Sequence, residues 1–304
     1  MTEFYRSPGR WFRGNTHSHS TVSDGRLPVA ERFDAYRKAG YHFLVLTDHG
    51  KVTDVSAESR EDFVAISGSE LHPPNPYGGD RYHFVAIDIH KPVPYDDRHP
   101  NEVIREVREQ GGLLVVCHPY WCGHTLRDLA PLQGYFAVEV FNATCGRIGK
   151  SLSESHWDDL LDEVGPCFGI AADDAHGVTE DVFQGWLMVK AEELTLESLK
   201  AALAAGRFYS TQGPEIVDLE VVESDVTLSG GAVRRAPVVR VRCSPAASIV
   251  FKGQRSRGER FLAPEGEALT TAEYPVIRGE KYVRVEITDA DGRRAWSNPV
   301  TFTK

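Results

Sequence analysis

Between Trp11 and about Tyr209 the chain alternates short apolar runs with helical patterns, and few folds accept that rhythm. The runs are YHFLVLT (41–47), DFVAISG (62–68), YHFVAIDI (82–89), GLLVVCH (112–118), FAVEVFN (136–142), CFGIAA (167–172) and GWLMVKA (185–191). They are bounded by Gly, Pro, Asp and Asn, and several are β-branched throughout, as strands buried on both faces are. Helices are expected over 27–40, 101–112, 151–165 and 195–207. Ser151 or Ser153 and Thr195 can cap N-termini, and Gly40, Gly111, Gly165 and Gly206 sit where C-terminal glycines belong. Such alternation implies a mostly parallel sheet, open or closed into a barrel.

The texture changes near STQGPEIVDLEV. From about Pro214 to Lys304 no helix is legible, while IVDLEVV, VVRVRCS, ASIVFKG and KYVRVEITD read as strands and DADGRRAWSNP as a hairpin turn into a last strand. The expected organisation is an α/β domain over 1–213 and a small all-β, sandwich-like module over 214–304.

Net charge is −10, which disfavours general nucleic-acid binding. No run reaches the roughly 18 to 20 apolar residues of a membrane span, and MTEFYRSPGRWFRG lacks an apolar signal core. A cytoplasmic protein with no membrane partner is expected, of unknown oligomeric state. Five cysteines without a CxxC pair argue against a disulfide framework or a zinc knuckle. Cys117, in LLVVCHPY, reads as the buried end of a strand rather than a nucleophile.

The apolar runs deliver metal-type side chains at or just beyond their C-terminal ends. His17 and His19 follow the first short strand, with Asp24 in the loop after it. His49 follows FLVLTD, Glu70 follows FVAISGS, His118 ends GLLVVC, and Asp174 and His176 follow CFGIAAD; His83, at the start of its run, is the exception. In a parallel αβ barrel such ends share one face, and residues i and i+2 of an extended strand point the same way. These nine residues are the candidate ligands of a distributed metal site. Asp173 competes with Asp174, which is preferred because it pairs with His176 at i, i+2. Asp48 is expected to orient a neighbouring imidazole, and His72 to lie near the site without binding metal. His42, His90, His99, His124 and His156 read as incidental.

In this order, THSHSTVSDG, LVLTDHG, SGSELH, CHPYW and DDAHG resemble the PHP (polymerase and histidinol phosphatase) family over roughly residues 11–210. RFYSTQGPEI, followed by a β module ending AWSNP, resembles the metallohydrolases related to carbaryl hydrolases (the CehA/McbA group). The resemblance implies a distorted (β/α)7 barrel holding two to three divalent ions. One ion would take His17, His19, Glu70 and Asp174. A second would share Glu70 and add His83 and His118. A third would take Asp24, His49 and His176. Many family members carry histidine where Asp24 stands, and sequence does not choose among manganese, iron and zinc.

The expected activity is hydrolysis of a small organic phosphate mono- or diester, by attack of a metal-bridging hydroxide. Metal-bound water or His72 would serve as the acid. Arg147, Lys150 and Arg26 are candidate phosphate-binding side chains, with Lys51 a weaker one, and Tyr120 and Trp121 could wall a pocket for a base or ring. The alternatives are a carboxylic ester, carbamate or amide hydrolase at the same centre and, in a different class, a non-catalytic binding or accessory module.

Overall fold

The computed structural model describes residues 2–302; residues 1, 303 and 304, at the outer ends of the two expected domains, lie outside the described residues. The first part contains β1 (Arg10–Asn15), α1 (Val29–Lys38), β2 (Phe43–Leu46), β3 (Val64–Leu71), β4 (Phe84–Ile87), α2 (Pro100–Glu109), β5 (Leu113–Val116), α3 (Pro119–Cys122), α4 (Leu126–Leu129), β6 (Ala137–Asn142), α5 (Glu154–Glu163), β7 (Phe168–Ala172), β8 (Trp186–Ala191), α6 (Leu196–Ala204) and β9 (Phe208–Thr211). The seven apolar runs form strands and the four helical patterns form helices. The single-turn α3 and α4 and the four-residue β9 are too short to leave a periodic signal. Thr195 caps α6 by accepting the Ser198 amide at 3.2 Å. Ser153 stands at the N-cap of α5 without a capping bond, because its hydroxyl accepts the Tyr120 amide from α3.

Both faces of the strands are covered, which is why they read as continuous apolar runs. Phe43, Val45, Ile66, Val85 and Val115 pack on one face with Leu199, Ala202 and Leu203 of α6. Leu44 and Leu46 meet Phe33 and Tyr36 of α1. Phe84, Leu114, Val116 and Val140 pack against Val103, Ile104 and Val107 of α2 and Trp157, Leu160 and Leu161 of α5.

The sheet of the first part mixes parallel and antiparallel pairs. The β1–β2, β2–β3, β5–β6 and β6–β7 ladders are parallel. However, β4 runs antiparallel to both neighbours, β3 and β5. No continuous ladder joins β7 back to β1 among the described residues. Instead the two ends meet beyond their strands. Ser18 bridges Ala175 in parallel, the His19 amide donates to the Ala175 carbonyl at 2.9 Å, and the Asp174 amide donates to the His17 carbonyl at 3.1 Å.

The antiparallel part contains β10 (Ile216–Thr227), β11 (Val233–Ala246), β12 (Ser248–Gly253), β13 (Gly258–Leu262), β14 (Leu269–Pro275), β15 (Tyr282–Thr288), β16 (Arg294–Ser297) and β17 (Val300–Thr301). β10, β11 and β14 form a three-stranded sheet. Val239 and Val241 from it share a core with Ile249, Phe251, Val283, Val285 and Ile287 of the larger sheet. That larger sheet is shared between the two parts of the chain, since β16 pairs with β9, β9 with β8 and β8 with β1. Among the described residues no helix is long and apolar enough to cross a membrane.

The two parts also meet through a buried charge network on α5. Arg284 is fully buried, with its guanidinium 4.4 Å over the Trp157 ring. It donates to Asp158 Oδ1 at 2.8 and 2.5 Å and to Glu286 Oε1 at 2.5 Å. Lys252 Nζ reaches the same Glu286 oxygen at 2.8 Å. Removing one partner from a buried ion group strands the others. Arg284→Ala is expected to lower unfolding free energy by about 3–5 kcal/mol in urea titrations.

Candidate metal centre

Each candidate ligand is placed by a strand end. Beyond β1, alternation turns His17 and His19 inward while the Ser18 hydroxyl donates to the Val45 carbonyl at 2.8 Å. The chain then folds tightly: the Gly25 amide donates to the Ser20 carbonyl, and a Cβ at Gly25 would lie 2.4 Å from the His19 carbonyl oxygen. That tight return carries Asp24 back over the imidazoles. Its shape is fixed by Asp48, whose carboxylate accepts the Ser20 amide at 2.8 Å and the Ser20 and Ser23 hydroxyls at 2.7 and 2.6 Å. Asp48 therefore holds the Asp24 loop through Ser20 and Ser23.

His49 follows β2 and bridges Glu70 of β3 in parallel. His83 resolves its own anomaly. Because β4 is reversed, the start of its run lies where the neighbouring strands end: Phe84 pairs with Leu71 on one side and Val116 on the other. The His83 carbonyl accepts the Cys117 amide at 2.9 Å, which sets His83 beside His118. His118 and Asp174 hold positive φ angles of 26° and 56° without being glycine. Such strain persists where the surroundings enforce it, commonly at functional sites.

The nine candidates fall into three overlapping groups whose ligand atoms lie within 4.8 Å of one another. These are His17, His19, Glu70 and Asp174; Glu70, His83 and His118; and His19, Asp24, His49 and His176. The donor atoms of the groups converge closely on one another. Glu70 Oε2 lies 3.3 Å from His17 Nε2, 3.4 Å from His19 Nε2 and 3.0 Å from His49 Nδ1. Asp24 Oδ2 lies 3.3 Å from both His49 Nε2 and His176 Nε2. His17 Nε2, His19 Nδ1, His49 Nδ1 and Glu70 Oε2 are buried without a hydrogen-bond partner. Buried polar atoms in a folded protein almost always have partners, so this donor set fits divalent cations.

The electrostatics agree. Burial alone would raise the Glu70 and Asp174 carboxyls, yet the imidazoles around them, His17 foremost, hold both well below the usual carboxylate range. Burial pushes His83 down to about 4 against the pull of Glu70, leaving a neutral imidazole with a free lone pair. His17 is buried too, but Asp174, Glu139 and Glu70 draw a proton onto it and raise it. A cation would compete with that proton.

Several supporting residues have no sequence signal of their own. Glu139, buried on β6, accepts from His17 Nδ1 at 2.7 Å and, with its other oxygen, from the His118 amide at 3.0 Å and Asn142 Nδ2 at 2.9 Å. Asn142 Nδ2 also reaches Asp174 Oδ2 at 3.2 Å. Arg32 of α1 is fully buried. It donates to the carbonyls of His19, His176 and Gly177 at 2.9, 3.1 and 2.9 Å, clamping two ligand-bearing loops. A period-two strand pattern conceals Glu139, and a helix face conceals Arg32. Asp173, the rival of Asp174, turns away: it accepts the Tyr36 hydroxyl and the Phe183, Gln184 and Gly185 amides. Burial still raises its carboxyl to about 6.

The candidate phosphate binders are largely occupied. Arg147 pairs with Asp181 at 2.8 Å and Arg26 with Glu180 at 2.8 Å. Lys150 Nζ lies 5.3 Å over the Tyr120 ring, with no carboxylate at ion-pair distance among the described residues. Trp121, 40% exposed, sets its ring edge-on to His83 and His118 at 5.4 and 5.2 Å. All five cysteines are buried. Burial pushes the Cys145 and Cys167 thiols up to about 12 and Cys243 to about 11, and raises Cys117 still further.

No family model matches the chain, and no curated protein matches it. Among solved structures it is similar to a two-domain protein from Bacteroides vulgatus containing a predicted PHP-like metal-dependent phosphoesterase. Identity is 17%, coverage 97% of this chain and 96% of that one, and the TM-score 0.53. A Chromobacterium violaceum amidohydrolase with bound sulfate and no metal aligns at 16% identity over 56% of this chain and 89% of its own, TM-score 0.45. A lesion-specific endonuclease from Pyrococcus furiosus aligns at 10% identity over 64% and 56%, TM-score 0.45. The Bacteroides likeness spans both parts of the chain and shows a shared PHP-like two-part fold.

Glu139→Gln is expected to weaken divalent-ion affinity by about 10- to 100-fold, read by chelator competition. Native protein at pH 8 should react with less than one equivalent of a thiol reagent, against five after denaturation.

Proposed function

We propose that the chain is a metal-dependent hydrolase of the PHP type acting on a small organic phosphate mono- or diester. The observation that carries this reading is the convergence of three overlapping donor groups on the shared side chains Glu70 and His19. The description of the Bacteroides two-domain protein as a PHP-like phosphoesterase supports it. In this reading one ion is held by His17, His19, Glu70 and Asp174, a second by Glu70, His83 and His118, and a third by Asp24, His49 and His176. Manganese, iron or zinc bound there would supply a water of lowered pKa and neutralise charge building on a phosphoryl group.

The chain's own residues do the rest. Glu139 fixes the His17 ring so that Nε2 faces the centre. Arg32 holds the His19 and His176 loops in register. Asp48 keeps the Asp24 loop closed. Lys150 is the expected basic contact for substrate, whereas Arg147 and Arg26 brace the loops through Asp181 and Glu180. Cys117 supplies no nucleophile, being buried with its thiol raised.

A second reading, hydrolysis of a carboxylic ester, carbamate or amide, is favoured by one feature: exposed Trp121 beside His83 and His118 offers an apolar wall. The two are separated with p-nitrophenyl phosphate, bis-p-nitrophenyl phosphate, an aryl acetate and an aryl carbamate, tested after loading with manganese, iron(II) or zinc. Phosphate hydrolysis that chelator abolishes and His17→Ala lowers by about 100-fold or more is expected. Release mainly from the acetate or carbamate would overturn it in favour of carbonyl chemistry. Absence of activity with every metal tested would leave the binding or accessory module as the reading.

A further inference from the structure

Two pairs of candidate ligands sit at i, i+2, His17 with His19 beyond β1 and Asp174 with His176 beyond β7. The end of β3 carries a third pair, of which the three groups above use only Glu70. Glu70 and His72 flank Leu71, which is buried in the core on the opposite face, so both point toward the centre. The His72 ring lies between ligands of two different groups, 4.7 Å from the His49 ring and 4.3 Å from the His83 ring. Tyr95 holds it edge-on from outside at 5.8 Å. His72 Nε2 is 3.5 Å from Glu70 Oε1, and it is buried without a hydrogen-bond partner. His49 Nδ1 and Glu70 Oε2 share that condition, and His49, Glu70 and His72 bring their ligand atoms within 4.8 Å of one another.

We propose that His72 is a tenth metal ligand, binding a divalent cation together with Glu70 and His49. His49 binds through Nδ1, the nitrogen that faces Glu70, which leaves the third group to His19, Asp24 and His176. The inference rests on the metal-centre reading above, and it assigns His72 to the ion instead of to proton delivery. Its chemical consequence is selectivity. Imidazole suits zinc and iron(II), whereas carboxylate and water suit manganese, so a further imidazole beside Glu70 tilts the centre toward zinc and iron(II).

The test compares wild type, His72→Asn and His72→Ala, each checked for wild-type far-ultraviolet circular dichroism and thermal midpoint in the metal-free form. Metal content after loading with zinc or manganese, chelator-competition affinities and the visible spectrum of the cobalt(II) form are then measured. The expected result is a loss of zinc affinity of about 10-fold or more in both variants, a smaller loss for manganese and a changed cobalt spectrum. Identical metal content, affinity and spectrum in the three proteins would overturn the proposal. Lost activity with unchanged metal binding would also overturn it, making His72 a group that acts on substrate. If wild type binds no divalent ion, the metal centre itself falls, an outcome distinguishable from failure of His72 alone.

Discussion

One carboxylate organises the centre. Glu70 is buried, and its oxygens lie within 3.5 Å of nitrogens from six imidazoles: His72, His83 and His118 around Oε1, and His17, His19 and His49 around Oε2. An isolated carboxylate would be expelled from such a place by its desolvation cost. It stays because histidines from four other strand ends converge on it, and they converge because β3 sits inside the sheet between a parallel and an antiparallel neighbour. The reversal of β4 is therefore tied to the site. Without it, His83 would emerge at the far end of the sheet.

The surrounding shell spends its polar groups on holding those histidines still. Glu139 ties a ring on one strand end to the backbone of another, and Arg32 joins two loops separated by most of the first part of the chain. Asp173 ties Tyr36 to three successive amides. Each is a buried group hydrogen-bonded to partners on other elements, and its contribution is geometric. The strained backbone at His118 and Asp174 belongs to the same economy, since a residue keeps a sparsely populated φ only where its neighbours leave no alternative.

Much of this was legible in the sequence because the ligands obey simple periodicities. His17 with His19 follows the two-residue repeat of extended chain, Asp174 and His176 share that spacing although the φ of Asp174 is left-handed at 56°, and most candidates sit just past apolar runs. His83 is legible as a candidate by residue type, but its position at the start of a run is not, since nothing local announces that a strand runs backwards. Sequence adjacency to His49 does not show which way the Asp48 side chain points; its partners Ser20 and Ser23 lie 28 and 25 residues earlier in the chain. Arg147 and Arg26 were legible as cations, but their partners Asp181 and Glu180 lie on another loop. Glu139 and Arg32 were invisible for a plainer reason: a lone charge within an apolar strand or an amphipathic helix acquires meaning only from what it touches.

The ladder from β16 through β9 and β8 to β1 has a consequence for how such a chain can change over time. A module joined by a flexible linker can be lost or exchanged, leaving its neighbour intact. Here, detachment of the antiparallel part would bare the whole hydrogen-bonding edge of β9, two strands from the one that carries His17 and His19. An uncovered edge is a template for pairing with other chains. Inheritance of the sheet that carries the candidate ligands is thus coupled to inheritance of the β part.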